Sequence, residues 1–218
     1  MRKKTRLAAT LVVAAGLTLS ACSSGDDDSA KNSIADVSVQ AERPATVLDT
    51  PYTKPNLVLT DTQGKKYDLR ERTKGKPTLI YYGYTHCPDV CPLTMSNIAI
   101  AKKKLPKADQ DKLQVIFITT DPERDTPAEL AKWLPSAGDA SFTGLTGDFA
   151  AIQAGARQMG IGIDAPTKEK DGTVVSSHGT QVIAFSPKTD AGYLLYGEDT
   201  SVDDYTKDLP KIVRGENP

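Results

Sequence analysis

The chain has 218 residues, of which 39% are hydrophobic and 25% are charged, and its formal net charge is -1. This composition is typical of a globular protein, and the length fits one domain with short additions. The charge balance argues against a nucleic-acid-binding protein, because no run of Lys and Arg is large enough to follow a phosphate backbone. The nearest candidate, Lys102–Lys104, falls at the predicted end of a helix, where cations interact favourably with the helix dipole.

The first 21 residues have the pattern of a secretory signal peptide. Basic residues between Arg2 and Arg6 precede an apolar run from Leu7 to Leu19 that is too short to span a bilayer. The small residues at positions 20 and 21, followed by Cys22, resemble the lipobox of bacterial lipoproteins, in which the cysteine carries diacylglycerol. An ordinary cleaved signal with a chance cysteine is the alternative. We predict a signal peptide over 1–21 and a lipid-anchored protein on the extracytoplasmic face of the bacterial cell membrane.

Residues 22–50 are predicted to form a lipidated, flexible tether, because they are polar and lack a sustained apolar period. Removal of 1–21 leaves 23 basic against 28 acidic residues, a formal charge of -5. Such a surface has no electrostatic attraction to anionic lipid or nucleic acid, so the anchor alone holds the protein at the membrane. With Cys22 lipidated, only Cys87 and Cys91 remain free for chemistry.

The remainder, 51–218, is predicted to be one domain in which strands alternate with helices. The predicted strands are 56–60, 65–69, 78–84, 113–119, 142–145, 182–185 and 193–196. The predicted helices are 96–104, 127–134, 149–159 and 202–213. The first two and the last two strands read as hairpins, whereas 78–84 and 113–119 are continuous apolar runs typical of strands covered on both faces.

This alternation predicts a three-layer α/β domain with a mixed sheet. The two cysteines follow a buried strand and precede a helix, which is the position of the reactive motif in redox proteins. The fold prediction is therefore thioredoxin-like: a mixed central sheet flanked by helices, with an added N-terminal β-hairpin.

Cys87 and Cys91 are four residues apart at the start of the predicted helix, where backbone N–H groups and the helix dipole favour thiolate. In a regular helix their Cα atoms would be roughly 6.2 Å apart. This falls inside the window of about 4.4–6.8 Å for a disulfide. The same spacing puts both sulfurs on one face, where one metal ion could bridge them.

The spacing alone leaves several kinds of chemistry open. A structural disulfide would close a very small loop with limited entropy gain. Two thiolates suit Cu(I), and an added imidazole gives a set that also holds Cu(II), whereas zinc usually takes four ligands or three and a water. His86 adjoins Cys87, and neighbouring side chains in extended backbone point to opposite sides, so His86 is an awkward ligand. The other histidine is His178.

Three motifs resemble signatures of the Sco/SenC proteins. Tyr82–Pro92, with the sequence YGYTHCPDVCP, resembles the first, Asp121–Pro127 (DPERDTP) the second and Gly144–Gly147 (GLTG) the third. The likeness covers roughly 50–215. It places His178 at the family's remote ligand histidine, where thioredoxins have a cis-proline loop facing the cysteines.

The resemblance implies a copper metallochaperone that binds Cu(I), Cu(II) or both through Cys87, Cys91 and His178. It further implies assembly of the binuclear copper centre of cytochrome c oxidase, with the oxidase copper-centre subunit and a copper-donor chaperone as partners. Asp121 and Asp125 are interpreted as loop-capping residues rather than ligands.

Two other functions remain open on the sequence. The first is a thiol–disulfide reductase that keeps the oxidase's copper-ligand cysteines reduced, with Cys87 and Cys91 as a redox-active pair. The second is a peroxiredoxin-like peroxidase. It is less consistent with a second cysteine one turn after the first.

Overall fold

The computed structural model of the chain describes residues 45–217. The predicted signal peptide, the predicted lipidation site Cys22 and most of the predicted tether lie outside the described residues. Within the described part of the chain, no helix combines the length and the apolar character needed to cross a membrane.

The domain is built on an eight-stranded mixed sheet. Its strands are β1 (Ala45–Thr53), β2 (Val58–Asp61), β3 (Lys66–Asp68), β4 (Thr78–Gly83), β5 (Gln114–Thr119), β6 (Thr143–Thr146), β9 (Val182–Phe185) and β10 (Ala191–Tyr196). A separate small hairpin is formed by β7 (Thr167–Lys168) and β8 (Val174–Val175). The strand order across the large sheet is β1-β10-β9-β4-β5-β6-β2-β3. The central strands β4, β5 and β6 pair in parallel, and the other pairs are antiparallel. This is the predicted mixed sheet, and both predicted hairpins are present.

Among the described residues, six helices flank the sheet: α1 (Leu69–Thr73), α2 (Val90–Lys103), α3 (Lys107–Lys112), α4 (Pro127–Ala137), α5 (Phe149–Arg157) and α6 (Val202–Arg214). The Asp148 side chain caps α5 by accepting a hydrogen bond from the backbone N–H of Ala151. Helix α4 begins with Pro127, and its cap is Thr126. Asp125, the neighbouring acid, is therefore available for another role.

The structure differs from the predicted elements at two places that matter for the site. Strand β1 begins at Ala45, so residues 45–50 of the predicted tether belong to the sheet. Its polar sequence gave no apolar signal because β1 is an edge strand, where Pro51 and exposed side chains are tolerated. Helix α2 begins at Val90, before the predicted start at 96, and therefore includes Cys91.

The core consists of two apolar clusters on opposite faces of the sheet. Successive residues of β4 alternate between them, with Leu79 and Tyr81 in one cluster and Ile80 and Tyr82 in the other. Helices α2, α4 and α6 contribute to the first cluster and α5 to the second, which gives the three layers predicted. Both cysteines of the motif lie in the first cluster.

Asp208→Asn is expected to raise the free energy of unfolding at neutral pH. Asp208 is buried on α6 and accepts a hydrogen bond of 3.0 Å from the Tyr196 hydroxyl. Burial raises the pKa of this carboxyl, so the folded state binds its proton more tightly than the unfolded chain. That stabilisation is complete below the unfolded pKa and is lost as the pH rises through the folded pKa. The amide accepts the hydrogen bond at every pH.

Urea unfolding at about pH 4 and about pH 7 checks this prediction. The gain should be larger at the higher pH. The control is Glu198→Gln, which removes a carboxylate at an exposed position. Equal effects of Asp208→Asn at both pH values would contradict a raised pKa of the Asp208 carboxyl in the folded state.

Candidate metal-binding and redox site

The two cysteines lie where the chain leaves β4 and enters α2. Cys87 occupies a turn before the helix, with its backbone N–H donating to the Tyr84 carbonyl over 3.2 Å, whereas Cys91 is in the first helical turn. The regular-helix spacing used in the sequence analysis therefore does not describe this pair. The backbone N–H of Cys91 nevertheless points at the Cys87 sulfur over 3.4 Å, so one donor of the helix N-terminus faces that sulfur. The prediction that the helix start favours thiolate is wrong for Cys91, because burial there outweighs the helix dipole and raises the pKa of the thiol. Both cysteines are free thiols.

The two sulfurs differ in their access to solvent. Cys91 is completely buried, its sulfur accepts a hydrogen bond of 3.4 Å from the Tyr81 hydroxyl, and burial raises the pKa of its thiol to about 12. Cys87 retains 6% exposure and is followed by the exposed residues Pro88 and Asp89. Of the pair, Cys87 is therefore the residue with the greater access to solvent.

A buried carboxylate anchors the loop before the cysteines. Asp125 accepts hydrogen bonds from the backbone N–H of Thr85 over 2.9 Å and from the hydroxyls of Thr85 and of Thr119, the last residue of β5. The exposed His86 lies at the edge of this network, with its Nδ1 3.6 Å from Asp125 Oδ1. Asp125 therefore holds the Cys87 loop onto the neighbouring strand.

A second buried carboxylate anchors the segment that carries His178. Asp121 forms an ion pair with Arg124 and accepts a hydrogen bond of 2.7 Å from the hydroxyl of Ser176. Arg124 also donates to the Ser176 hydroxyl over 3.1 Å. The next residue is also held in place: the Ser177 hydroxyl accepts a hydrogen bond of 2.6 Å from the backbone N–H of Asp164. These contacts fix the chain just before His178.

His178 is half-buried, and its ring packs against that of Tyr84 with a centroid separation of 5.6 Å. Its Nδ1 lies 3.0 Å from the Gly179 carbonyl oxygen. In a neutral ring, a proton on Nδ1 would donate to this carbonyl and leave Nε2 with the lone pair that a metal needs. The structure places Cys87 and Cys91 together and brings His178 beside Tyr84 of the same motif. Across residues 45–217, however, no three His, Cys, Asp or Glu side chains form a ready metal cluster.

A family model described as SCO1/SenC matches residues 45–214 of the chain. The chain belongs to the SCO1/SenC family. The family resemblance inferred from the three motifs is thus confirmed.

Individual SCO relatives agree with this assignment. The chain is 30% identical to mitochondrial SCO1 of Saccharomyces cerevisiae over 173 residues, which cover 76% of this chain and 58% of the yeast protein. Across four sequence relatives, the aligned segment spans between 36% and 64% of the relative's length.

Solved structures of two bacterial Sco proteins share the fold. ScoI of Bradyrhizobium japonicum, solved with copper bound, is 33% identical with a TM-score of 0.62, and the match covers 75% of this chain and 98% of ScoI. Apo Sco1 of Thermus thermophilus is 29% identical with a TM-score of 0.67, and the match covers 77% and 95% of the two chains. The thioredoxin-like fold predicted from the sequence is confirmed.

Some residues that support the site are not evident from the sequence pattern. Tyr81 and Gly83 lie in an apolar run that predicts only a buried strand. For Asp121 and Asp125 the sequence predicts loop caps, and the structure adds which residues they hold: Ser176 and Thr85, more than thirty residues away along the chain. The DPERDTP motif was the available signal, because buried acids of a loop need specific donors.

Gly83→Ala is expected to destabilise the protein by about 1–3 kcal/mol through overpacking. A Cβ at this position would lie 2.8 Å from the Cys91 sulfur and 3.0 Å from ring carbons of Phe117 and Tyr81. Gly162→Ala is the matched control, because nothing lies within 4 Å of a Cβ there. Chemical unfolding measures the free energy of unfolding of both variants. Equal stability of the two would contradict close packing of the sulfur on β4.

Asp125→Ala is expected to lower the free energy of unfolding by about 1–3 kcal/mol for each buried donor left without a partner. It should also expose Cys87, since the Thr85 backbone would lose its anchor. The rate of Cys87 alkylation, measured with Cys91 replaced by serine, reports this loosening. Asp111→Ala, which removes an exposed carboxylate paired with Lys107, should change neither quantity appreciably. An unchanged alkylation rate in Asp125→Ala would contradict the anchoring role.

Proposed function

We propose that this chain binds copper through Cys87, Cys91 and His178 and delivers it to the copper-centre subunit of cytochrome c oxidase. The observation that carries the proposal is a pair of free thiols at a helix N-terminus in a chain of the SCO1/SenC family, one relative of which has been solved with copper bound. One related protein is described as a member of a family of cytochrome c oxidase assembly proteins.

Copper is cargo in this proposal, and the donor set suits its chemistry. Soft thiolates favour Cu(I), and an imidazole nitrogen extends the set to Cu(II). Cys87, at the surface edge, is proposed as the first contact with a copper-donor chaperone, and buried Cys91 as the second ligand. His178 then completes the site by a movement of its ring away from Tyr84. Release to the oxidase subunit proceeds by exchange of these ligands for cysteines of the acceptor.

The proposed location follows from the first residues of the sequence. A diacylglycerol group on Cys22 would hold the domain at the extracytoplasmic face of the membrane, joined by the short segment before Ala45. The acidic domain would then stand away from anionic lipid headgroups rather than lie on them.

A thiol–disulfide reductase is the second candidate, and the unequal burial of the two sulfurs favours it specifically. The Cys87 thiolate would attack a partner disulfide, forming a mixed disulfide and releasing one partner thiolate. Cys91 would then attack the Cys87 sulfur, releasing the second partner thiol and leaving a Cys87–Cys91 disulfide. Two electrons pass to the partner, and no step requires His178.

His178→Ala is expected to weaken copper binding by at least about tenfold, because even outer-shell partners of metal ligands are worth about 10–100-fold. The dithiol reduction potential should change far less, since the histidine ring packs on Tyr84 in the structure and a dithiol exchange requires no histidine. The measurement is competition between the reduced full chain and a copper chelator, for both Cu(I) and Cu(II).

His86→Ala is the matched control, since His86 is the other histidine of the chain and adjoins Cys87. Wild-type copper affinity in His178→Ala would remove His178 from the ligand set. Failure of the wild-type chain to bind copper tighter than a simple dithiol would leave the reductase as the better account.

A further inference from the structure

Two adjacent tyrosines of β4 have opposite surroundings. Tyr81 faces the cluster that contains the cysteines, and its hydroxyl donates to the Cys91 sulfur over 3.4 Å. Tyr82 faces the other cluster, and its hydroxyl finds no hydrogen-bond partner among residues 45–217. Both rings are almost completely buried. The hydroxyl of Tyr81 therefore has a specific contact that its neighbour lacks.

The surroundings fix the Tyr81 hydroxyl and the Cys91 sulfur against each other. Gly83 lies directly beneath the sulfur, where even a methyl group would not fit. The Tyr81 ring packs on Phe117 with a centroid separation of 6.1 Å, and Phe117 packs in turn on Trp133 at 4.9 Å. Neither partner can move away without disturbing close-packed core atoms.

We propose that Tyr81 is a positioning residue that sets the electron-donating strength of the Cys91 sulfur through this hydrogen bond. The inference rests on the proposed function where it concerns copper, but its effect on the dithiol couple is independent of copper. Hydrogen bonds to a ligating sulfur and the apolar shell around it are established means of tuning thiolate metal centres. No charge on Tyr81 is involved, because the neutral hydroxyl acts only as a donor.

The direction of the effect follows from the chemistry of sulfur. Reduction of the Cys87–Cys91 disulfide takes two electrons and two protons and gives two thiols. The sulfur accepts a hydrogen bond better in the thiol or thiolate than in the disulfide, so the Tyr81 hydroxyl stabilises the reduced pair. When Cu(II) is bound, the same bond withdraws electron density from the sulfur and raises the energy of sulfur-to-copper charge transfer.

The test compares Tyr81→Phe with the matched control Tyr82→Phe, each removing one buried hydroxyl from the same strand. In a glutathione redox buffer, the disulfide-to-dithiol ratio of Tyr81→Phe should rise about two- to tenfold, the range expected for one hydrogen bond. A tenfold rise corresponds to a fall of about 30 mV in the two-electron potential. With Cu(II) bound, the charge-transfer absorption should move to longer wavelength. Tyr82→Phe should leave both quantities at their wild-type values.

The outcomes separate the inference from the proposed function. Wild-type ratio and absorption in Tyr81→Phe, or equal shifts in both variants, would overturn the role of Tyr81. A shifted ratio in a chain that fails to bind copper would support Tyr81 and overturn the copper proposal. If Tyr81→Phe does not fold by circular dichroism, 4-fluorophenylalanine at positions 81 and 82 restores the lost volume without a hydroxyl donor, and the same comparison applies.

Discussion

The sulfur of Cys91 rests on the last residue of the central strand, and this contact determines where the other groups of the site can lie. Gly83 has no side chain, so α2 approaches β4 closely enough to bury the sulfur against Tyr81. The following turn then leaves Cys87 at the surface edge, opposite the backbone N–H of Cys91. Both cysteines belong to the core cluster, but only Cys87 keeps some exposure to solvent.

Two buried carboxylates extend this arrangement to segments far apart in the chain. Asp125 ties the Cys87 loop to the end of β5, and Asp121 with Arg124 ties down Ser176, two residues before His178. Strands β4 and β5 are parallel, so their carboxyl ends meet at one edge of the sheet, which is where α/β proteins commonly bind ligands. The anchors limit the freedom of the segment before His178, whose ring packs on Tyr84 of the cysteine motif.

Much of the fold could be predicted because its central elements carry strong local signals. Strands β4 and β5 are continuous apolar runs, and Asp148 caps its helix through its own side chain. Strand β1 could not be found in this way, since it is held by backbone pairing with β10 and leaves most side chains exposed. The cysteine pair was evident from spacing, whereas His178 entered through family resemblance. The support from Tyr81 and Asp125 depends on contacts between segments, which periodicity does not encode.

X-ray absorption spectroscopy at the copper edge of the full chain loaded with one equivalent of Cu(I) tests the central claim most directly. It counts the sulfur and nitrogen neighbours of the metal without relying on a variant that could alter the fold. The account predicts two sulfur ligands and one imidazole nitrogen for each copper ion. A single sulfur neighbour, or a shell of nitrogen and oxygen alone, would contradict it.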